Sequence, residues 1–244
     1  MYKALMIGAH NDECEFGLGG IACLLREAGV QVRTLIVAAQ WHAPLTEVEK
    51  EETRRQETRA SQLLDVEKRV IGDREASTWL ETPETVCAIE GEIHDFKPDI
   101  AFIHWPQDNH AEHREAAKAS LRALTVAAPH GTRVREVYAF EAGPNQSMVF
   151  FRPDLAIDVT EAMPAVRESL RAYHQAHAQG DGLCREKEVS AAFRGHVCGA
   201  KYAEALKIVK FPDGGQDFLL RQLLGERFRW WGNAQYPAYG YLYF

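Results

Sequence analysis

The chain has 244 residues, 46% hydrophobic and 26% charged, with a net charge of −7 at pH 7. That length suits one large α/β domain, the apolar fraction excludes disorder, and the acidic balance leaves no electrostatic footprint for nucleic acid or anionic lipid. No apolar run is long enough for a membrane span, the N-terminus lacks signal-peptide features, and the five scattered cysteines read as reduced, cytoplasmic thiols.

Lys3 to Ala9 (KALMIGA) is a short apolar run and predicts a buried strand. Gly17 to Ala28 predicts a helix with Leu18, Ile21, Ala22, Leu24 and Leu25 on its apolar side and Gly29 as its stop. Val30 to Ala39 reads as a second strand, Thr46 to Leu64 as a surface helix and Arg69 to Gly72 as a short strand. Pro83 to Phe96 suits a helix with proline in its first turn, Pro98 to Trp105 a buried strand and His113 to Ala127 a helix. Beyond Arg135 the pattern is mixed. Val137–Ala142 and Leu155–Thr160 suit strands, and Thr160 to Gln179 suits a helix capped by Thr160. The alternation predicts an α/β fold, a doubly wound, mostly parallel sheet flanked by helices in a single domain. Residues 1–210 carry that pattern. Residues 211–244 form an aromatic-rich extension with Trp230, Trp231, Tyr236, Tyr239, Tyr241, Tyr243 and Phe244. It is expected to pack on its own domain; a subunit contact in a homo-oligomer is the other reading.

In open parallel sheets, ligands sit outside the carboxyl ends of the strands. Gly8–Glu15 (GAHNDECE) follows the first strand, and Pro106–His113 (PQDNHAEH) follows the strand ending at Trp105. Both segments are expected over one rim, where they bring three histidines and five carboxylates. Imidazole with carboxylate is a ligand set for Zn²⁺ or another divalent metal. A hydrolytic zinc site takes three protein ligands and leaves one position for water; His10, Glu13 and His113 can supply two imidazoles and a carboxylate. Asp12, flanked by two of these, is the candidate general base. His110, if protonated, is the candidate to stabilise an oxyanion or to donate a proton to a leaving amine. Taken singly, HxxE and HxxH are common, and acids near a helix N-terminus also complement its dipole. Their joint occurrence after separate strands is what points to a metal. His42, His94, His130, His174, His177 and His196 read as surface or structural residues, and His104 as a core-edge residue inside a strand.

Ala9–Gly20 (AHNDECEFGLGG) resembles the AHPDDxExGxGG signature of the LmbE-like (PIG-L) family of zinc-dependent N-deacetylases, and Pro106–Ala116 (PQDNHAEHREA) resembles its PxDxHPDHRxA segment. Weaker likenesses follow in order. They are Arg54, Glu57 and Ala60 with Leu63-Leu64, then Asp73, Ile157–Thr160, Arg194-Gly195 with Gly199, and Tyr202–Ala205. The resemblance implies a Rossmann-like hydrolase that removes an acetyl or other acyl group from an N-acylated amino sugar or related conjugate. It implies metal ligands at His10, Glu13 and His113, a base at Asp12 and an electrophilic histidine at His110. It also implies substrate contacts at Arg54 and Asp73. Trp41 and Trp105 lie near the expected rim and suit stacking on a sugar face; half-buried packing is the plainer reading. Three departures stand out. Asn11 replaces the signature proline, Glu13 replaces an aspartate ligand, and Ala111-Glu112 replace Pro-Asp.

Two other classes fit parts of the chain. Gly17–Ala22 matches the GxGxxA pattern of dinucleotide-binding oxidoreductases. Yet it begins nine positions after Gly8, and Asp12, Glu13 and Glu15 in between would repel a pyrophosphate. These glycines suit close packing of helix on strand instead. A non-catalytic sugar- or metal-binding protein on the same scaffold would explain Asn11 and Glu13, but a decayed site would also have lost Asp12, His10 or His113.

Overall fold

Both faces of β1 (Lys3–Gly8) are buried: Ala4 and Met6 enter one hydrophobic core, Leu5 and Ile7 the other. The computed structural model describes residues 1–41, 46–75, 80–143, 151–173 and 180–231. After β1 come α1 (Glu13–Glu27), β2 (Gln31–Ile36), β3 (Ala39–Trp41), α2 (Glu47–Leu63), β4 (Glu67–Val70) and β5 (Asp73–Glu75). Next are α3 (Pro83–Phe96), β6 (Ile100–His104), α4 (Ala111–Ala127), β7 (Glu136–Phe140), β8 (Leu155–Asp158) and α5 (Met163–Arg171). The last are α6 (Gly180–Cys198), β9 (Ala203–Lys210), α7 (Leu219–Leu224) and β10 (Phe228–Trp230).

The main sheet runs β10-β8-β9-β7-β6-β1-β2-β4, and β3 pairs with β5 in a small second sheet. The strands from β4 to β7 are parallel, and β9, β8 and β10 extend them antiparallel. This is the expected Rossmann-like α/β sheet, with an antiparallel flank. From β1 the chain winds outward to β2 and β4, then returns to place β6 on the other side of β1. That reversal opens a crevice beyond the carboxyl ends of β1 and β6. Both polar loops singled out in the sequence leave the sheet there. No helix among the described residues is long and apolar enough to cross a membrane.

Several boundaries differ from the sequence reading, each for a local reason. α1 begins at Glu13, not Gly17, because the polar stretch before the glycines is its first turn. α4 begins at Ala111, with His110 as its N-cap. Thr160 does not cap α5, which starts at Met163; its hydroxyl donates to Asp158 Oδ1 at 2.7 Å. The long helix α6 carries no clear apolar stripe in its sequence and was not anticipated. Residues 219–230 join the main fold: Leu219, Leu220 and Leu224 enter a core cluster, and β10 pairs with β8. The aromatic residues from Tyr236 onward lie outside the described residues, as do His42, His174 and His177.

The glycines of α1 do allow close approach. A Cβ on Gly17 would sit 2.5 Å from the Phe140 ring, and one on Gly20 would sit 2.5 Å from Val159 Cβ. The backbone N–H groups of Gly20 and Ile21 meanwhile donate to the buried Glu204 carboxylate at 2.9 and 2.8 Å. Gly20→Ala is therefore expected to destabilise the domain by about 1–3 kcal/mol through overpacking. At this size that is a loss of roughly 2–12 °C in Tm, readable in a thermal melt; an unchanged Tm would show that α1 can shift freely.

Candidate metal centre

The centre is built around one carboxylate. Glu13 stands in the first turn of α1 and folds back over the loop leaving β1. Its Oε2 accepts hydrogen bonds from the backbone N–H groups of Ala9 and His10, both at 2.9 Å. Three imidazoles converge on the same carboxylate. His10 Nδ1 lies 2.7 Å from Oε1, His104 Nε2 lies 2.7 Å from Oε2, and His113 Nε2 contacts Oε1. A glutamate reaches this far back where an aspartate is one methylene shorter, roughly 1.5 Å. The departure from the family signature thus has a structural use.

His113 enters from the first turn of α4, and its other nitrogen, Nδ1, lies 3.3 Å from Asp108 Oδ2. Asp108 is itself anchored, its Oδ1 accepting from the His110 backbone N–H at 2.8 Å. The His113 ring stacks between His104 and His110, each at 4.5 Å between centroids. His10 Nε2 meets Glu112 Oε2 at 2.9 Å. Glu112, which replaces an aspartate of the family pattern, thus touches a candidate ligand directly.

Ligand atoms of His10, Glu13 and His113 all lie within 4.8 Å of one another, and these residues are buried. His10, Glu112 and His110 form an overlapping set under the same criterion. The electrostatics ask for positive charge. Burial works against the His10 and His113 imidazoliums, yet Glu13 foremost, with Glu112 at His10 and Asp108 at His113, raises them to about 10 and about 9. Burial likewise opposes charge on Glu13, but His113, His104 and His10 hold its carboxyl well below the usual range. Two imidazoles, an anionic carboxylate and a carboxylate behind His113 are the donor set and outer support of a hydrolytic zinc site. The residues present therefore fit a divalent cation.

Asp12 is the N-cap of α1, half-buried, and its side chain makes no capping hydrogen bond. His110 is partly exposed at the N-cap of α4, its ring edge-on to His10 at 5.3 Å. Burial, then the positive fields of His113 and His10, push its imidazole below the usual histidine value. That favours a neutral His110, not the protonated form considered from sequence.

The loop bearing Asn11 and Asp12 is clamped from below. The Asn11 carbonyl accepts from Lys68 Nζ at 2.5 Å and from the Tyr173 hydroxyl at 2.8 Å. Lys68 also lies 2.8 Å from the fully buried Glu15 carboxylate. Glu57, of the weaker α2 likeness, belongs to this charged cluster; burial pushes its carboxyl up to about 7. The clamp holds a turn that the family pattern holds with proline. Tyr173→Phe removes one of two donors and is expected to cost about 0.5–1.5 kcal/mol. Lys68→Met strands the Glu15 charge and is expected to cost about 3–5 kcal/mol. Denaturant midpoints check that order, and equal effects would refute it.

The remaining sequence candidates are less closely tied to the centre. Arg54 sits on α2, largely exposed, 3.6 Å from Glu51. Asp73 opens β5 opposite Ala39, but its side chain and that of Trp41 fall outside the described part of the structure. Trp105 follows β6, and its ring meets Phe151 edge-on at 5.5 Å. It packs against two core clusters, as the plainer reading expects. His104, Asp108, Lys68 and Tyr173 were missed. For His104 a signal existed: it is the last residue of β6, at the carboxyl end where ligands gather.

Residues 5–124 match the family described as PIG-L, GlcNAc-PI de-N-acetylase. The diacetylchitobiose deacetylase of Thermococcus kodakarensis (strain ATCC BAA-918 / JCM 12380 / KOD1) is 25% identical, covering 85% of this chain and 83% of that protein. Among solved structures, the conserved protein TT1542 from Thermus thermophilus shares the fold with a TM-score of 0.75 at 18% identity, over 86% of this chain and 95% of that one. GalB, the 4-carboxy-2-hydroxymuconate hydratase from Pseudomonas putida KT2440, gives 0.74 at 19% identity, over 89% and 100%. A deacetylase relative and a hydratase structure on one scaffold mean that the site, not the fold, must name the reaction. The matched segment contains both loops of the centre, and residues 5–124 of this chain are a PIG-L (LmbE-like) family domain.

Proposed function

We propose that this protein is a metal-dependent N-deacetylase that hydrolyses the acetamide of an N-acetylated amino sugar or a related small conjugate. The convergence of His10, Glu13 and His113 beside Asp12, inside a PIG-L family domain, carries the reading. The deacetylase relative supports the substrate class.

His10, Glu13 and His113 would hold the cation, with Zn²⁺ the first choice for two imidazoles and a carboxylate. Bound there, it supplies Lewis acidity, polarising an amide carbonyl and easing deprotonation of water. Asp12 accepts the proton of the attacking water as its oxygen bonds to the carbonyl carbon. A neutral His110 donates one N–H to the developing oxyanion, which needs no proton transfer. The C–N bond then breaks, Asp12 returns the proton to the leaving amine, and acetate departs. Asp108 and Glu112 orient His113 and His10 from behind. Arg54, Asp73 and Trp105 are the proposed contacts for the rest of the substrate. The five free cysteines support a reducing compartment, the cytoplasm.

The test is acetate release from a panel of N-acetylated sugars, N,N′-diacetylchitobiose included, with protein reloaded with Zn²⁺ and Asp12→Asn as the control. Turnover that the control lacks supports the reading. A panel on which the reloaded protein matches the control throughout overturns it.

A further inference from the structure

A second cluster of imidazole and carboxylate lies at the opposite edge of the sheet, where α3 and α4 end and the chain re-enters β6 and β7. Glu90 and His94 stand one turn apart on α3, and His130 comes from the connection after α4. His94 Nε2 is 3.4 Å from Glu90 Oε1, and His130 Nδ1 is 3.0 Å from the same oxygen. The three ligand atoms lie within 4.8 Å of one another.

One histidine is held by a side-chain hydrogen bond and the other is placed by its backbone turn. His94 Nδ1 lies 2.8 Å from the hydroxyl of Thr132, a buried residue, which fixes the ring and turns Nε2 toward Glu90. A hydrogen-bonded far nitrogen is the usual support of a metal-binding histidine. Gly131 has φ +96, a conformation open to glycine, and the turn it makes presents His130 before Thr132 N bonds back to Ala127 O at 3.0 Å. The spacing also suits a metal. Ligands at Zn–N and Zn–O distances around a tetrahedron stand about 3.3 Å apart, close to the two separations seen.

We propose that Glu90, His94 and His130 form a second divalent transition-metal site, independent of the His10 centre and open to solvent. Imidazole nitrogens select Zn²⁺, Ni²⁺ or Cu²⁺ over Mg²⁺ and Ca²⁺. An ion there ties the end of α3 to the α4–β7 connection, bracing the segments that feed two adjacent parallel strands. The site uses no residue of the deacetylation chemistry, so it stands or falls separately.

The test is calorimetric titration of metal-free protein with Zn²⁺, with elemental analysis after desalting. The wild type is expected to bind two equivalents. His94→Gln/His130→Gln is expected to bind one and to keep wild-type deacetylation, and His113→Ala is expected to keep the equivalent that the double variant loses. His130→Gln alone alters an exposed turn, so it reports the same loss even if the double variant folds poorly. Equal Zn²⁺ stoichiometry in wild type and His130→Gln would overturn the proposal, whatever the His10 centre binds.

Discussion

Asp12→Asn is expected to lower kcat by about 10²–10⁴-fold, the usual worth of a positioned general base. The cation should stay bound, because the donor set is His10, Glu13 and His113. Asparagine also suits the site sterically. Asp12 is an N-cap whose side chain makes no capping bond, and asparagine is among the preferred N-cap residues. The fold and the loop should therefore survive. Acetate release and elemental analysis on one preparation separate the possibilities. Lost turnover with retained metal assigns Asp12 to proton transfer, whereas wild-type turnover removes it from the reaction.

His113→Ala should fail differently, losing the cation of the His10 centre together with activity. The ring contacts Glu13 through Nε2, faces Asp108 through Nδ1 and stacks between His104 and His110. Its removal leaves the buried Asp108 carboxylate without its imidazole and Glu13 with two of its three. Stranding buried charge costs about 3–5 kcal/mol, or roughly 6–20 °C of Tm in a domain of this size. His104→Ala is the useful contrast. It also deprives Glu13 of a partner, but it lies outside the donor sets and should keep the metal. If His113→Ala binds Zn²⁺ at the His10 centre as tightly as the wild type, the ligand assignment is wrong.

What could be read from the chain depended on the range of the cause. The bounds of α3 were legible to the residue, because Thr82 caps it, Pro83 opens it and Lys97 ends it, all neighbours in sequence. His10, Glu13 and His113 were legible because strand ends announce themselves and the two loops carry dense polar patterns. The start of α1 was misplaced because Glu13 and Glu15 look like loop residues until Glu13 is seen folding back on its own helix. Lys68 and Tyr173 were invisible for a different reason. Their partner is a backbone carbonyl, 57 and 162 positions away, and a carbonyl leaves no mark in the sequence. Thr160 failed as a cap because its hydroxyl oxygen accepts from the Tyr202 backbone N–H at 3.2 Å, and the helix starts later, at Met163.

The hub at Glu13 joins groups 91 positions apart, from the end of β1 to the end of β6. A nascent chain leaving the ribosome therefore has half a pocket for as long as it takes to synthesise those residues, and two of the three imidazoles around the hub, His104 and His113, arrive only after that interval. Capture of the ion must wait for long-range strand pairing, so a loaded centre certifies that the parallel sheet has closed correctly.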